Sequence, residues 1–189
     1  MLGSSLQLVT DHLNAAIARR FQTPSGQKHV ILSPLFNLGQ GLAPAVENVL
    51  VLIPVNIQQE SFTASDVPTR PGKFAKMNPP LSLQLHFVLG VYYSAENIQE
   101  GLNVLTVAMQ VLEGKQVWNT QNTPGLPSEI LKITTELCSL TFEQVNHLWG
   151  SLGGKQMPNA VYKMRVLLTD EQSVIAEIPT IERLDVEKS

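Results

Sequence analysis

The chain has 189 residues, 43% hydrophobic and 15% charged, enough for one well-buried domain and too little for two. Its net charge of −3 lacks the basic surplus that phosphate-backbone binding needs, which argues against nucleic acid as a partner. A single cysteine, Cys138, excludes an internal disulfide framework and a cysteine-based metal cluster, and fits a core thiol in a reducing compartment.

From Ser4 or Ser5 onward, Leu6, Val9, Leu13, Ala16, Ile17 and Phe21 recur at steps of three and four, which predicts an amphipathic helix ended by Pro24 and Gly26. His29 to Leu32 is a short strand candidate, and 39–44 reads as loop. The run VLVLIPVNI within Asn48 to Glu60 is branched and nearly continuous. It marks a strand covered on both faces, or one leaving the core as it passes Pro54, with a bulge or change of neighbour near that proline. Residues 61–80 hold Pro68, Pro71, Pro79, Pro80 and Gly72 without periodicity, and so read as a long loop.

Leu81 to Tyr93 alternates, with Leu81, Leu83, Leu85, Phe87, Leu89 and Val91 on one face and Ser82, Gln84 and His86 on the other. Ser94 is the expected cap of a second helix whose stripe is Ile98, Leu102, Leu105, Met109 and Leu112, ending at Gly114. Lys115 to Asn119 is a further short strand candidate, TPGLP at 123–127 a turn, and the β-branched run Ile133, Thr134, Thr135 favours a strand from Ile130 to Leu140.

Thr141 followed by Gln144 is a capping box. It opens a third helix with Phe142, Val145, Leu148, Trp149 and Leu152 on one face, stopped by Gly153 and Gly154. Val161 to Leu168 then reads as a half-buried strand, with Tyr162, Met164, Val166 and Leu168 inward and Lys163 and Arg165 outward. Ser173 to Ile181 offers a last extended run inside a loose tail from 169 to 189. The expected fold is α/β (α+β) in a single domain over 1–189: a mixed or antiparallel sheet of four to five strands packed by three helices.

No constellation here carries a reaction. There is no nucleophile elbow, phosphate loop, dinucleotide fingerprint or paired metal-ligand histidine motif; His12, His29, His86 and His147 sit on different elements, so neither a catalytic residue, a cofactor nor a metal is assigned. Glu143 and His147 lie one helical turn apart and read as a solvent-facing pair, Trp149 as core, and Cys138 as an unactivated thiol. No stretch reaches the ~20 apolar residues of a membrane span and the first residues lack a secretory pattern, so cytoplasmic synthesis without a membrane span is expected. Charge is low while Gln, Asn, Ser and Thr are plentiful, a surface easily desolvated in an assembly.

Candidate subunit contacts are then Arg70, Lys73 and Lys76 in the proline-rich loop, Lys163 and Arg165, which face either water or acidic groups of a neighbouring subunit, and Val174, Ile175 and Ile178 in the tail. Strand addition of Ser173 to Ile181 to another subunit's sheet is the expected mode.

Three stretches, VLVLIPVNIQQES, PPLSLQLHFVLGVYY and above all FEQVNHLWGSLGGKQMPNAVYKMRVLL, together resemble the cap or tail-terminator proteins of extracellular contractile injection systems, which are phage-tail-like particles. That resemblance implies a structural subunit without cofactor that forms a homo-hexameric ring, sits on the inner tube protein, contacts the last layer of sheath protein and stops growth, in a particle released extracellularly. Some members carry a C-terminal domain with no counterpart here, which implies a larger cap paralogue as a further partner. The alternatives are another ring of the same particle, in its neck or baseplate, and a small-ligand or enzymatic module on a similar body.

Overall fold

In the computed structural model, residues 1–24, 26–33, 47–60, 75–77, 80–153, 156–169 and 174–177 are described, 75–77 and 174–177 by backbone alone. The elements in chain order are α1 (Leu2–Phe21), β1 (Val30–Leu32), β2 (Val49–Gln59), β3 (Ala75–Met77), β4 (Leu81–Tyr92), α2 (Ile98–Gly114), β5 (Val117–Asn119), β6 (Ile130–Cys138), α3 (Phe142–Leu152), β7 (Asn159–Leu168) and β8 (Val174–Glu177). Six strands form one sheet in the order β1-β2-β4-β7-β6-β5, and β3 pairs with β8 in a second sheet of two. Only β1 and β2 run parallel, so the sheet is mixed and the fold is α+β, as expected. The main sheet has six strands rather than four to five because both short runs, at 30–32 and 117–119, join it as edges.

Alternation along the strands sorts side chains onto two faces. Leu50 and Leu52 of β2, Leu85, Phe87, Leu89 and Val91 of β4, and Tyr162, Met164 and Val166 of β7 form one buried face under α1 and α2. Within it the Phe87 and Tyr162 rings stack 5.5 Å apart. The other face holds a smaller cluster, Val49, Val51, Ile53, Val88 and Val161, beneath Trp149 of α3.

The periodicity of α1 is reproduced at Leu6, Val9, Leu13 and Ile17, which are buried, whereas Phe21, the last residue of the expected stripe, is 39% exposed at the helix end. Asn14 fastens the edge strand to this helix: its Oδ1 accepts from His29 N at 2.7 Å and Val30 N at 2.9 Å, and its Nδ2 donates to Val30 O at 2.8 Å. The amide acts as a short mimic of a neighbouring strand.

The register shift between Pro54 and Asn56 is the bulge that the proline requires. Leu50 N bonds to His29 O of the β1 side, so 50, 52 and 54 turn their main chain outward; Pro54 therefore stands where β4 needs no N–H. Beyond it β2 leaves the core, with 56–59 exposed.

Three expectations are corrected. Ser94 is not the cap of α2; Asn97 is, because Ser94 O takes the Asn97 N–H in a preceding turn and Ser94 N is held by Asn48 Oδ1. The buried stripe of α2 is Gly101, Val104, Leu105, Ala108 and Leu112, while Leu102 is 43% exposed. Small residues let the helix approach β4 closely: a Cβ at Gly101 would lie 2.5 Å from Val91 Cγ1 and 2.7 Å from the Tyr93 ring. Phe142 is 76% exposed, since at the first position of α3 it stands two turns from Trp149 and away from the centre of the stripe. The capping box itself forms, with Gln144 N donating to Thr141 Oγ1 and Thr141 N to Gln144 Oε1. Of the 61–80 loop, 75–77 is strand; the rest, apart from residue 80, lies outside the described residues, as does the loop expected at 39–44.

Candidate assembly surface

Past the α3 patch the second face turns polar. Cross-strand register places Gln84 beside Arg165 and His86 beside Lys163 on β4 and β7, with Thr134 and Glu136 of β6 completing the two rows. Asn56 and Gln58 extend the same rows onto β2. Because i and i+2 share a face, the alternation that buries Leu85 and Phe87 also presents Gln84 and His86 here.

Two ion pairs organise the surface. Lys163 Nζ lies 2.8 Å from Glu136 Oε2. Arg165 meets Glu60 in a fork, Nε donating to Oε2 and Nη2 to Oε1, the latter at 2.6 Å. Hydrogen bonding and charge from Lys163 hold the Glu136 carboxyl below its ordinary range, whereas burial raises the Cys138 thiol, which keeps it protonated and inert. Lys163 and Arg165 thus have acidic partners within their own chain. Glu60 and Glu136 were missed: the outward position of Glu136 in an alternating strand was the available signal, but only strand register says which cation stands opposite.

Lys76, Val174 and Ile175 come together in a way the sequence does not disclose. Ala75↔Glu177, Lys76↔Ala176 and Met77↔Val174 pair antiparallel, so the proline-rich loop and the tail contribute one strand each to a single ribbon. The tail strand has a mate in its own chain. β3 leads through 78–80 into Leu81, and β8 follows Leu168 through 169–173; since Leu81 and Leu168 are themselves paired, the ribbon is tethered to the end of the central β4–β7 ladder. Arg70, Lys73 and Ile178 lie outside the described residues.

A cleft of about 750 Å³ lies elsewhere, among Lys28, His29, Glu47, Tyr93 and Glu100. His29 is bonded to Thr23 at 2.8 Å and burial lowers its pKa, opposed by Glu100; burial, then Glu100, pushes Tyr93 to about 12. Thr23, whose hydroxyl meets the His29 ring, is not among the residues that line the cleft, so that pair does not present a nucleophile into it. Among the described residues no group of three or more His, Cys, Asp or Glu could hold a metal ion, and no helix is long and apolar enough to cross a membrane. Glu143 and His147 are both exposed, and Trp149 is buried, as read from the sequence.

Comparison with known proteins gives a family and a fold. The model of the Pvc16 N-terminal domain matches residues 8–183. No curated protein matches. Among solved structures, the PVC sheath/tube terminator of an extracellular contractile injection system, in its extended state, superposes with a TM-score of 0.54 at 13% identity, over 96% of this chain and 63% of that one. The chain therefore spans less than two thirds of that relative. The tube-terminating cap of the anti-feeding prophage gives a TM-score of 0.47 at 10% identity, over 74% of this chain and 49% of that one.

Proposed function

Because the chain belongs to the Pvc16 N-terminal domain family, we propose that it is a structural cap, the tube and sheath terminator of a contractile, phage-tail-like injection system. The family match over 8–183 is the observation that supports this most, and a fold shared with a sheath/tube terminator is consistent with it. The subunit works as one domain that forms a homo-hexameric ring on the last layer of inner tube, touches the last sheath layer and leaves no tube-like end for further growth. It does no chemistry and needs no cofactor.

A cap of this kind needs a rigid body and side surfaces that recognise tube, sheath and its own copies. The two-sided packing of β2, β4 and β7 supplies the body. The rows around Lys163 and Arg165 supply a surface of paired charge, suited to orientation and register more than to raw affinity. Native mass measurement and negative-stain imaging test the proposal, with and without added tube protein. A six-fold ring, or a ring formed on tube ends that halts their elongation, is expected; a chain that stays monomeric and leaves tube growth unchanged overturns it.

A further inference from the structure

Among the described residues, the outer edge of β2 beyond Leu52, where its pairing with β1 ends, has no strand partner. After the bulge, Glu60 N bonds to Ser82 O, so 56, 58 and 60 turn their main chain toward β4, and Ile57 and Gln59 turn theirs outward. An exposed edge is ordinarily blunted by charge, proline or a bulge; here Pro54 and its bulge guard only the start, and 55–59 reads Val-Asn-Ile-Gln-Gln with no charged residue and with Ile57 54% exposed. Such an edge is built to be covered.

The same molecule carries a ribbon that needs a third strand. A ladder of three residue pairs between β3 and β8 falls short of the three strands that a small sheet needs in water. Tethered at the end of the β4–β7 ladder, it forms a sheet of its own and does not pair with β2 of its own chain. Edge and ribbon each lack what the other offers.

We propose that the outer edge of β2 at 55–59 is the acceptor for the β3–β8 ribbon of a second copy of this chain. Main-chain hydrogen bonds from Ile57 and Gln59 add the ribbon to the six-stranded sheet, and the donor strand covers Ile57. Donor and acceptor are different surfaces, so the contact is head-to-tail and repeats from copy to copy until a ring closes. This rests on the terminator-ring reading, for which it names the contact between neighbours.

Two variants of the full chain separate the edge from the fold. Gln59→Pro removes an outward N–H and should leave a folded protomer while raising the concentration needed for ring formation by about ten-fold or more; Gln58→Pro removes an inward N–H and should damage folding instead. In a Cys138→Ala background, chains carrying Gln59→Cys are mixed with chains carrying Ala176→Cys or Lys76→Cys and oxidised. Covalent dimers between the two kinds of chain are expected, and a chain carrying an acceptor and a donor cysteine together should give a ladder of linked copies. Rings of Gln59→Pro as stable as those of the wild type, no mixed dimers with either donor, or a disulfide formed only within one chain would each overturn the assignment while leaving the terminator reading intact. A wild-type chain that forms no ring, even on added tube protein, overturns both.

Discussion

On the face under α1 and α2, β4 from Leu85 to Val91 and β7 from Ala160 to Leu168 bury every inward side chain, whereas on the face carrying α3 the same strands are apolar at Val88 and Val161, turn to Gln84, His86, Lys163 and Arg165, and return to an apolar residue only at Leu167. One backbone thus serves two purposes. The first face has two helices and a continuous apolar layer, which the hydrophobic effect turns directly into stability. The second has one short helix whose only buried residue is Trp149, and the sheet it leaves uncovered is partly exposed and ion-paired. Stability is concentrated on one side, so the other is free to vary for contact.

The largest test of that contrast is truncation on the first face. Phe87→Ala removes a fully buried ring stacked on Tyr162 and should cost about 3–5 kcal/mol in urea unfolding, while Gln84→Ala, three residues away on the other face, should stay within about 0.5 kcal/mol. Equal costs would abolish the distinction. A second test reverses a familiar sign. Alanine normally beats glycine inside a helix, yet Gly101→Ala places a methyl 2.5 Å from Val91 Cγ1, so about 1–3 kcal/mol of destabilisation is expected rather than a gain. A raised melting temperature would show that α2 does not sit as close to β4 as described.

On the second face the effects shrink. Thr141→Ala removes the side-chain half of the α3 capping box and should cost about 1 kcal/mol, Thr141→Gly only a few tenths. Amide hydrogen exchange should localise the loss to α3 and spare α1; if α1 protection falls in step, the two faces unfold as one unit and the contrast holds for composition but not for energy.

These residues also show what was legible in advance. The alternation from Leu83 to Phe87 and the box at Thr141 and Gln144 are local patterns that appear as read, whereas at the ends of the same strand Leu81 is exposed, Ser82 is buried, and Phe87 to Val91 are covered on both faces. Pro54 announced its bulge because a missing N–H is a property of one residue. The stripe of α2 went wrong for an opposite reason: large apolar side chains at Ile98 and Leu102 suggested the buried side, but close packing against β4 selects Gly101 and Ala108, and that depends on a partner no window contains. Lys163 and Arg165 were recognised as unusual on an otherwise apolar strand, while their partners Glu60 and Glu136 required the register of three strands. The β3–β8 ribbon joins segments about a hundred residues apart and left no local trace, so the sequence reads as a loop and a separate tail.

The smallest effect decides whether the polar half of the second face is truly a surface. Glu60 and Arg165 are 31% and 41% exposed at their side chains, so water screens the fork between them and a double-mutant cycle with Glu60→Gln and Arg165→Met should return a coupling of about 0.2–1 kcal/mol that weakens as salt is added. The protomer should keep its fold in all four corners of the cycle. A coupling well above that range and insensitive to salt would mean that the pair is shielded within the free subunit, with the second face sealed like the first. A weak, salt-sensitive pair leaves both side chains able to exchange partners when a neighbour arrives, which is what a contact surface has to do and a core cannot.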